Sequence, residues 1–370
     1  MIKVPSNVLA FAKDTTPYEM FVDYYRHYQS INGGKKYDFQ SLNSKGQPLS
    51  FSEKEVQMNE ALRKEVARVS GVSFDPAIPM EQWAMNPLVS WASFAVVSAL
   101  VDMVLPDSLI DSIGLYTDVI NIGWGDSAAI NIKSRDLFVV SKSGHAQKSS
   151  EIHKQFETTV TVVPEPHQIT VQVALYKVLC GKESLSEFVS KAIKSIESQM
   201  AVDAYTVFAT AMGNLTTTGS ALMKVVGFNM DSLLSLSQRV QAWNGGAKPV
   251  LAATLRAARY ILPDDGNYRY TLESDFVKLG YVRTVSGLDV MILDQFADWS
   301  TPFSTVLSDA NVYVISPSVN KLLKLVIEGS TLSNVTAPFD NSNLTQNATF
   351  IKNWKAAVAT NAVAGLMTVA

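Results

Sequence analysis

The hydrophobic pattern of the chain changes period close to residue 180. From 156 to 178 the stretch FETTVTVVPEPHQITVQVALYKV alternates, with Ile169, Val171, Val173 and Leu175 on one face and Thr170, Gln172 and Tyr176 on the other. A period of two is that of a strand with one buried face. From 184 the period becomes 3.6: Leu185, Phe188, Val189, Ala192, Ile193, Ile196, Met200, Ala204, Val207, Phe208 and Ala211 form one stripe. Ser184 and Glu187 read as a capping box, and Gly213-Asn214 as a stop. The pattern therefore predicts a helix over 184–212, on the order of 40 Å long at about 1.5 Å per residue, well above the average helix. Cys180-Gly181 and a few neighbours are all that separate strand from helix. So short a junction offers almost no room for chemistry.

Upstream, DVINIGWG, AAINIKS and DLFVVS read as strands between 117 and 140, followed by the polar stretch SKSGHAQKSSEIHKQ with Lys142, Lys148 and Lys154 against Glu151. Strands on both sides of a polar tip predict a long two-stranded projection. Two strands cannot bury a core by themselves, so this ribbon is expected to lie on another surface, naturally a neighbouring subunit. Residues 1–50 are aromatic-rich and irregular. A helix is predicted over 53–70, capped by Ser52 and Glu55, with Met58, Leu62, Val66 and Val69 inward and Glu60, Lys64 and Arg68 solvated. Pro76 and Pro79 mark a linker, and 87–105, PLVSWASFAVVSALVDMVL, reads as an apolar helix closed by Pro106-Asp107. Asp102 within it and the lack of flanking basic anchors favour a buried helix over a membrane span. The first hundred residues thus read as an arm that packs on something.

Downstream, 231–330 reads as an alternating α/β unit. Leu233, Leu236, Val240 and Trp243 stripe one helix, ended by Asn244-Gly245-Gly246. Strands are expected at 249–253, 281–294 and 311–315, a short helix at 255–262, and a strand or helix at 319–328. A Ser/Thr/Asn-rich loop is expected at 329–349, and C-terminal strands that return to a central sheet.

Composition narrows the function. The 370 residues suffice for two or three domains or one large body, at 47% apolar and 18% charged. A net charge of -3 with 31 Lys+Arg excludes a globally basic nucleic-acid binder. One cysteine, Cys180, excludes an intrachain disulfide framework; it fits a reducing cytoplasm and reads as an inert apolar residue. The start MIKVPSNVLAFAKD is no signal peptide, because Val8–Ala12 is short and Pro5 and Lys13 bound it. Sequons at Asn214, Asn334, Asn343 and Asn347 are read as solvent-facing polar loops.

Candidate chemistry is thin. Gly123-Trp-Gly125-Asp-Ser-Ala128 matches G-x-G-x-x-A after a strand, but a dinucleotide site needs a helix next and AAINIK alternates, so a β-turn is expected. His145, His153 and His167 would spread apart along an extended ribbon and do not suit a metal. Asp264-Asp265 and Asp294 with Asp298 sit among turn residues. No P-loop, G-x-S-x-G, H-E-x-x-H or C-x-x-C motif occurs. Enzyme is the weaker class, with a dinucleotide-dependent enzyme as its best form; no catalytic residue, metal or cofactor is expected.

The order of parts is more informative than any motif. A strand, a tip from Ser143-Gly144-His145 to Lys154, a returning strand, a short junction, a long helix ending in Gly and then an α/β module follow one another. This order resembles the major capsid proteins of tailed bacteriophages, the Hong Kong 97 fold. PHQITVQVALYKV and SLSEFVSKAIKSIESQMAVDAYTVFATAMG carry most of it, followed by KLGYVRTVSGLDVMIL and ANVYVISPSVNKLLKLVIE, over about 135–370. The resemblance implies an α+β, Hong Kong 97-type fold. Its parts would be an N-terminal arm at 1–115, P-domain strands at 116–135, an extended E-loop hairpin at 136–183 and a spine helix with P-domain at 184–230. An A-domain at 231–335 and P-domain return strands at 336–370 would complete it. It further implies hexamers and pentamers of this chain closing an icosahedral shell around double-stranded DNA, touched weakly and without specificity. Scaffolding, portal and decoration proteins would be further partners, with no membrane involved. Assembly would occur in the host bacterial cytoplasm and the product would be the virion capsid. Lys142, Lys148, Glu151 and Lys154 at the E-loop tip become candidate inter-subunit contacts. An encapsulin-type compartment is the nearest rival of the same fold.

Overall fold

The computed structural model describes residues 16–33, 50–73, 79, 82–83, 85–113, 117–133, 157–173, 177, 183–215, 223–262, 278–298, 301, 303–317, 321–335 and 346–369. Three helices come first: α1 (Thr16–Gly33), α2 (Phe51–Ser70) and α3 (Pro87–Ile113). The capping box of α2 is Ser50 with Glu53, not Ser52 with Glu55: Ser50 N donates to Glu53 Oε2 at 2.9 Å and Glu53 N to Ser50 Oγ at 3.4 Å. The motif S-x-x-E occurs twice in overlapping frames. The earlier frame brings Phe51 into the helix, where its ring stacks on Tyr24 at 5.1 Å. Gly71, at φ 68°, ends the helix in the left-handed region that glycine enters without strain.

Helix α3 does not stop at 105 as expected but continues through Pro106 to Ile113. Proline forfeits one helical hydrogen bond, and the burial of 89% of the 87–105 span holds the helix together against that loss. This span is long and apolar enough to cross a bilayer, yet its apolarity is used inside the fold. The long helix α4 (Leu185–Gly213) begins as its sequence predicts, with Ser184 Oγ accepting from Glu187 N at 3.2 Å. Glu187 turns instead to Lys191, 2.8 Å away. The four helices and one face of a sheet share a core that includes Tyr25, Val66, Leu100, Ile193, Met200, Leu325 and Phe350. The N-terminal helices therefore pack on this chain's own long helix, and Tyr25 Oη donates to Glu197 Oε2 at 3.1 Å.

The strands are β1 (Thr117–Ile122), β2 (Ala128–Lys133), β3 (Glu157–Val162), β4 (Glu165–Val173), β5 (Lys224–Val226), β6 (Val250–Ala253), β7 (Thr284–Val285), β8 (Leu288–Ile292), β9 (Ala297–Asp298), β10 (Ser304–Thr305), β11 (Asn311–Ile315), β12 (Leu323–Val335), β13 (Gln346–Val358) and β14 (Gly365–Thr368). Helices α5 (Met230–Trp243) and α6 (Leu255–Ala258) lie among them. A four-stranded sheet has the order β1-β12-β13-β4, and a six-stranded sheet the order β5-β14-β11-β6-β8-β7. The fold is α+β, with parallel and antiparallel pairs mixed in both sheets.

Three expectations are corrected. The stretch 157–173 is two strands, because Val163-Pro164 breaks it: β3 pairs with β2 and β4 with β13. Proline cannot donate to a ladder, so the pairing ends there. Residues 329–349 are not mostly loop, since β12 runs to Val335 and β13 begins at Gln346. Asn334 and Asn347, read as loop sequons, lie in those strands, where the polar residues alternate with buried Thr331, Ala348 and Phe350. Trp243 leaves the stripe of α5 and is largely exposed, while Leu233, Leu236 and Val240 join Leu251, Val312, Val314 and Met367 in a second core.

Candidate functional site

The four-stranded sheet presents two different faces. One lies on α3 and α4. On the other, Ile120, Ile122, Val326 and Ala357 form a small apolar patch that receives Ala128, Ile130, Val160 and Val162 of the β2–β3 ribbon. Opposite these, Ala129, Asn131, Thr159 and Thr161 are exposed. The ribbon is thus seated on the sheet of its own chain, and its described part ends at the pair Lys133↔Glu157. Asn361, between β13 and β14, donates to Lys133 O at 3.2 Å and ties the ribbon to the C-terminal strands.

The glycine motif builds the turn beneath this ribbon. Gly125 takes φ 77°, and its N–H donates to Glu328 Oε1 at 2.6 Å, while Glu328 Oε2 accepts from Asn353 Nδ2 at 2.8 Å. These bonds to the charged form, first that from Gly125, hold the Glu328 carboxyl below its ordinary range. Strand β2 follows the turn, so no helix N-terminus is present to receive a pyrophosphate. Trp124 lies over Gly329 closely enough that any side chain there would run into the indole.

Where β4 meets α4, a cavity of about 700 Å³ opens, with Ile169, Ile196, Phe350 and Trp354 in its wall. His167 stacks on Trp354 with ring centroids 3.8 Å apart and planes within 10°. Trp354 Nε1 donates to Asp203 Oδ2 at 2.8 Å, and Gln199 Nε2 donates to Asp203 Oδ1 at 2.9 Å. Ser195 shares the cavity, so serine, histidine and aspartate converge. The geometry does not suit nucleophilic catalysis. His167 Nδ1 faces Glu165 O at 3.0 Å, Nε2 faces Asp203 Oδ2 at 3.6 Å, and Ser195 Oγ donates to Lys191 O at 2.8 Å. Nδ1 and the hydroxyl proton are taken up by backbone oxygens, and among the described residues no basic side chain is hydrogen-bonded to Ser195. The cluster clamps the edge strand to the long helix.

Behind the cavity lies a buried ion pair. Lys352 Nζ is 2.7 Å from Asp102 Oδ1, with side chains only 6% and 4% exposed. Thr331 N donates to both Asp102 oxygens at 2.9 Å and Thr331 Oγ1 to Oδ1 at 2.7 Å, while Lys352 also donates to Gly329 O at 2.8 Å. Every partner is satisfied, as a buried pair requires. The pair fastens α3 to the register shift that β12 makes between Glu328 and Leu332.

Of the residues singled out in the sequence, Lys142, Lys148, Glu151, Lys154, His145, His153, Cys180, Gly181, Asp264 and Asp265 lie outside the described residues. His167 belongs to the clamp, not to a solvated tip. Asp294 is exposed after β8, and Asp298 is in β9. Sequence reasoning missed Asp203, Trp354 and Lys352. The available signal was Asp102, a carboxylate in an apolar helix that demands a partner.

No protein-family model and no curated protein matches this sequence. Among solved structures, the chain is similar to the asymmetric unit of the bacteriophage PhiM1 mature capsid, at 10% identity and TM-score 0.47, over 69% of this chain and 85% of that one. It is similar to the capsid of the native GTA particle at 13% identity and TM-score 0.49, over 70% and 90%. It is also similar to the capsid of the cyanophage P-SCSP1u at 12% identity and TM-score 0.45, over 69% and 86%.

Proposed function

We propose that this chain is a major capsid protein of the Hong Kong 97 type, which assembles as hexamers and pentamers into an icosahedral shell around double-stranded DNA. One observation carries the reading: a 29-residue helix lies across one face of a four-stranded sheet whose other face seats a separate two-stranded ribbon. A ribbon is marginal in water without a surface beneath it. Its own sheet supplies that surface for 128–133 and 157–162, and in this reading further copies of the chain supply it for the tip. The clamp of His167, Trp354 and Asp203 suits a mechanical role, since it fixes β4, the strand after the ribbon, to the long helix α4.

In this reading 1–115 is the arm, 136–183 the E-loop, 184–230 the spine helix with P-domain strands, 231–335 the A-domain, and 116–135 with 336–370 the remaining P-domain. Lys142, Lys148, Lys154 and Glu151 meet charges of the adjacent copy. Scaffolding, portal and decoration proteins are the further partners, and assembly takes place in the host bacterial cytoplasm. A net charge of -3 suits a container that touches its DNA weakly. Expression followed by size exclusion and negative-stain microscopy tests this. Closed particles are expected, and deletion of 141–154 is expected to leave subunits or capsomers. A chain that stays monomeric at every concentration refutes the shell, and normal shells from the deletion refute the role of the ribbon. DNA-filled heads distinguish a capsid from a cargo-loaded compartment.

A further inference from the structure

Phe303 sits where an aromatic residue is least expected. It lies in the tip of the β9–β10 hairpin with its side chain fully exposed, at 107%, and its backbone at φ 59°. Bulky residues enter that region only under constraint, and such outliers gather at functional surfaces. The hairpin beneath is firmly held. Gln295 Nε2 donates to Leu307 O at 2.8 Å and to Asp309 Oδ1 at 3.0 Å, and Leu307 N donates to Gln295 Oε1 at 3.1 Å. Thr254 Oγ1 donates to the same Asp309 oxygen at 2.8 Å, and Phe296 packs on Tyr205 of α4 at 5.1 Å. A large apolar side chain on a rigid support, wholly in water, has the form of an interface anchor.

The same chain carries a matching socket. Between β5 and α5 a cavity of about 280 Å³ has Val225 and Leu236 as its apolar part and Ser232, Ser235, Asp231 and Arg239 around them. A cavity of about 150 Å³ accommodates benzene, so this one has room for a phenyl ring. Sheet order separates the two features. The hairpin leaves between β8 and β11, whereas β5 is the opposite edge strand of the order β5-β14-β11-β6-β8-β7. Thr368 pairs with both Asn311 and Val226, so anchor and socket lie at the same end of the sheet. They are two to four strand spacings apart, roughly 10–19 Å at about 4.8 Å per spacing. An anchor on one flank and a socket on the other make a head-to-tail contact, which closes into a ring when the rotation permits.

We infer that Phe303 of one copy docks into the β5–α5 cavity of the next, so that the six-stranded domains join head to tail in a ring. This rests on the shell reading and names the partner surface within it.

The test places Thr301→Cys, beside the retained Phe303, and Ser235→Cys on one chain in a Cys180→Ala background. Mild oxidation of assembled particles is expected to give a disulfide ladder up to the ring number on a non-reducing gel, with no ladder beyond dimer from either single cysteine. Phe303→Ser, and separately Ser235→Trp to fill the socket, are expected to raise the assembly threshold on the order of thirty-fold, as loss of one aromatic anchor does, with melting of the free subunit unchanged. Mixed together, these two variants retain one usable contact per pair and give dimers without rings. Shells of the double-cysteine chain that give no ladder, or Phe303→Ser shells at the wild-type threshold, overturn the docking and leave the shell reading intact. A wild-type chain that never assembles removes both.

Discussion

Replacing Lys352 with methionine isolates the buried charge of Asp102. The side chain keeps its length and loses its ammonium, so Asp102 retains the Thr331 N–H and hydroxyl but no counter-charge, and Gly329 O loses its donor. Both side chains are almost wholly buried, so water cannot substitute. Removing one partner of such a pair costs about 3–5 kcal/mol. For 370 residues, an unfolding entropy of about 2.1 cal/mol/K per residue turns that into a fall in Tm of about 4–6 °C. The double variant Asp102→Leu with Lys352→Met removes both charges and should regain part of the loss. About 1–3 kcal/mol should remain, because the Thr331 N–H is left without an acceptor. Urea unfolding of the unassembled subunit, followed by tryptophan fluorescence, gives the four corners of the cycle. A Lys352→Met subunit within about 0.5 kcal/mol of wild type, a change typical of an unremarkable surface site, would refute the reasoning. So would a double variant that costs the sum of its singles.

Three further outcomes are expected. The Glu328 carboxyl is held below its ordinary value of 4.5, so its contribution is fully present above that value and is lost as pH falls through the depressed folded value. Trp124 fluorescence should report loosening of the turn in that acid window, and Glu328→Gln should abolish the pH dependence while weakening the turn at neutral pH. Gly329→Ala drives a methyl into the Trp124 indole and should destabilise by about 1–3 kcal/mol, read as a lower urea midpoint with altered Trp124 emission. Trp354→Leu loses the His167 stack and the bond to Asp203 and should cost about 2–3 kcal/mol. The amides of 168–173 should then exchange faster than those of 250–253, and equal rates would argue against the clamp.

The parts that could be read from sequence are those whose signal is local. Helix α4 carries a 3.6 period over its whole length and its own N-cap, Ser184, so its expected limits differ from those observed by about one residue. The start of α2 was misplaced because two S-x-x-E frames overlap, and a ring contact with Tyr24 chooses between them. Pro164 was visible, but alternation on both sides of it looks like one strand until the separate partners, β2 and β13, are known. The clamp was not legible, and of the ion pair only Asp102, a carboxylate in an apolar helix, gave a signal, with nothing to name its partner. His167 meets Trp354 across nearly two hundred residues, and Asp102 meets Lys352 across 250. No spacing rule acts over such distances; only the topology brings these residues together.

Strand β14 is inserted between β5 and β11, and both neighbours precede it in the chain, β5 by more than a hundred residues. A growing polypeptide on the ribosome therefore carries two open strand edges until residue 368 has emerged, and the six-stranded sheet cannot close before then. The topology acts as a timer, keeping the six-stranded sheet open until the strand that completes it has been made.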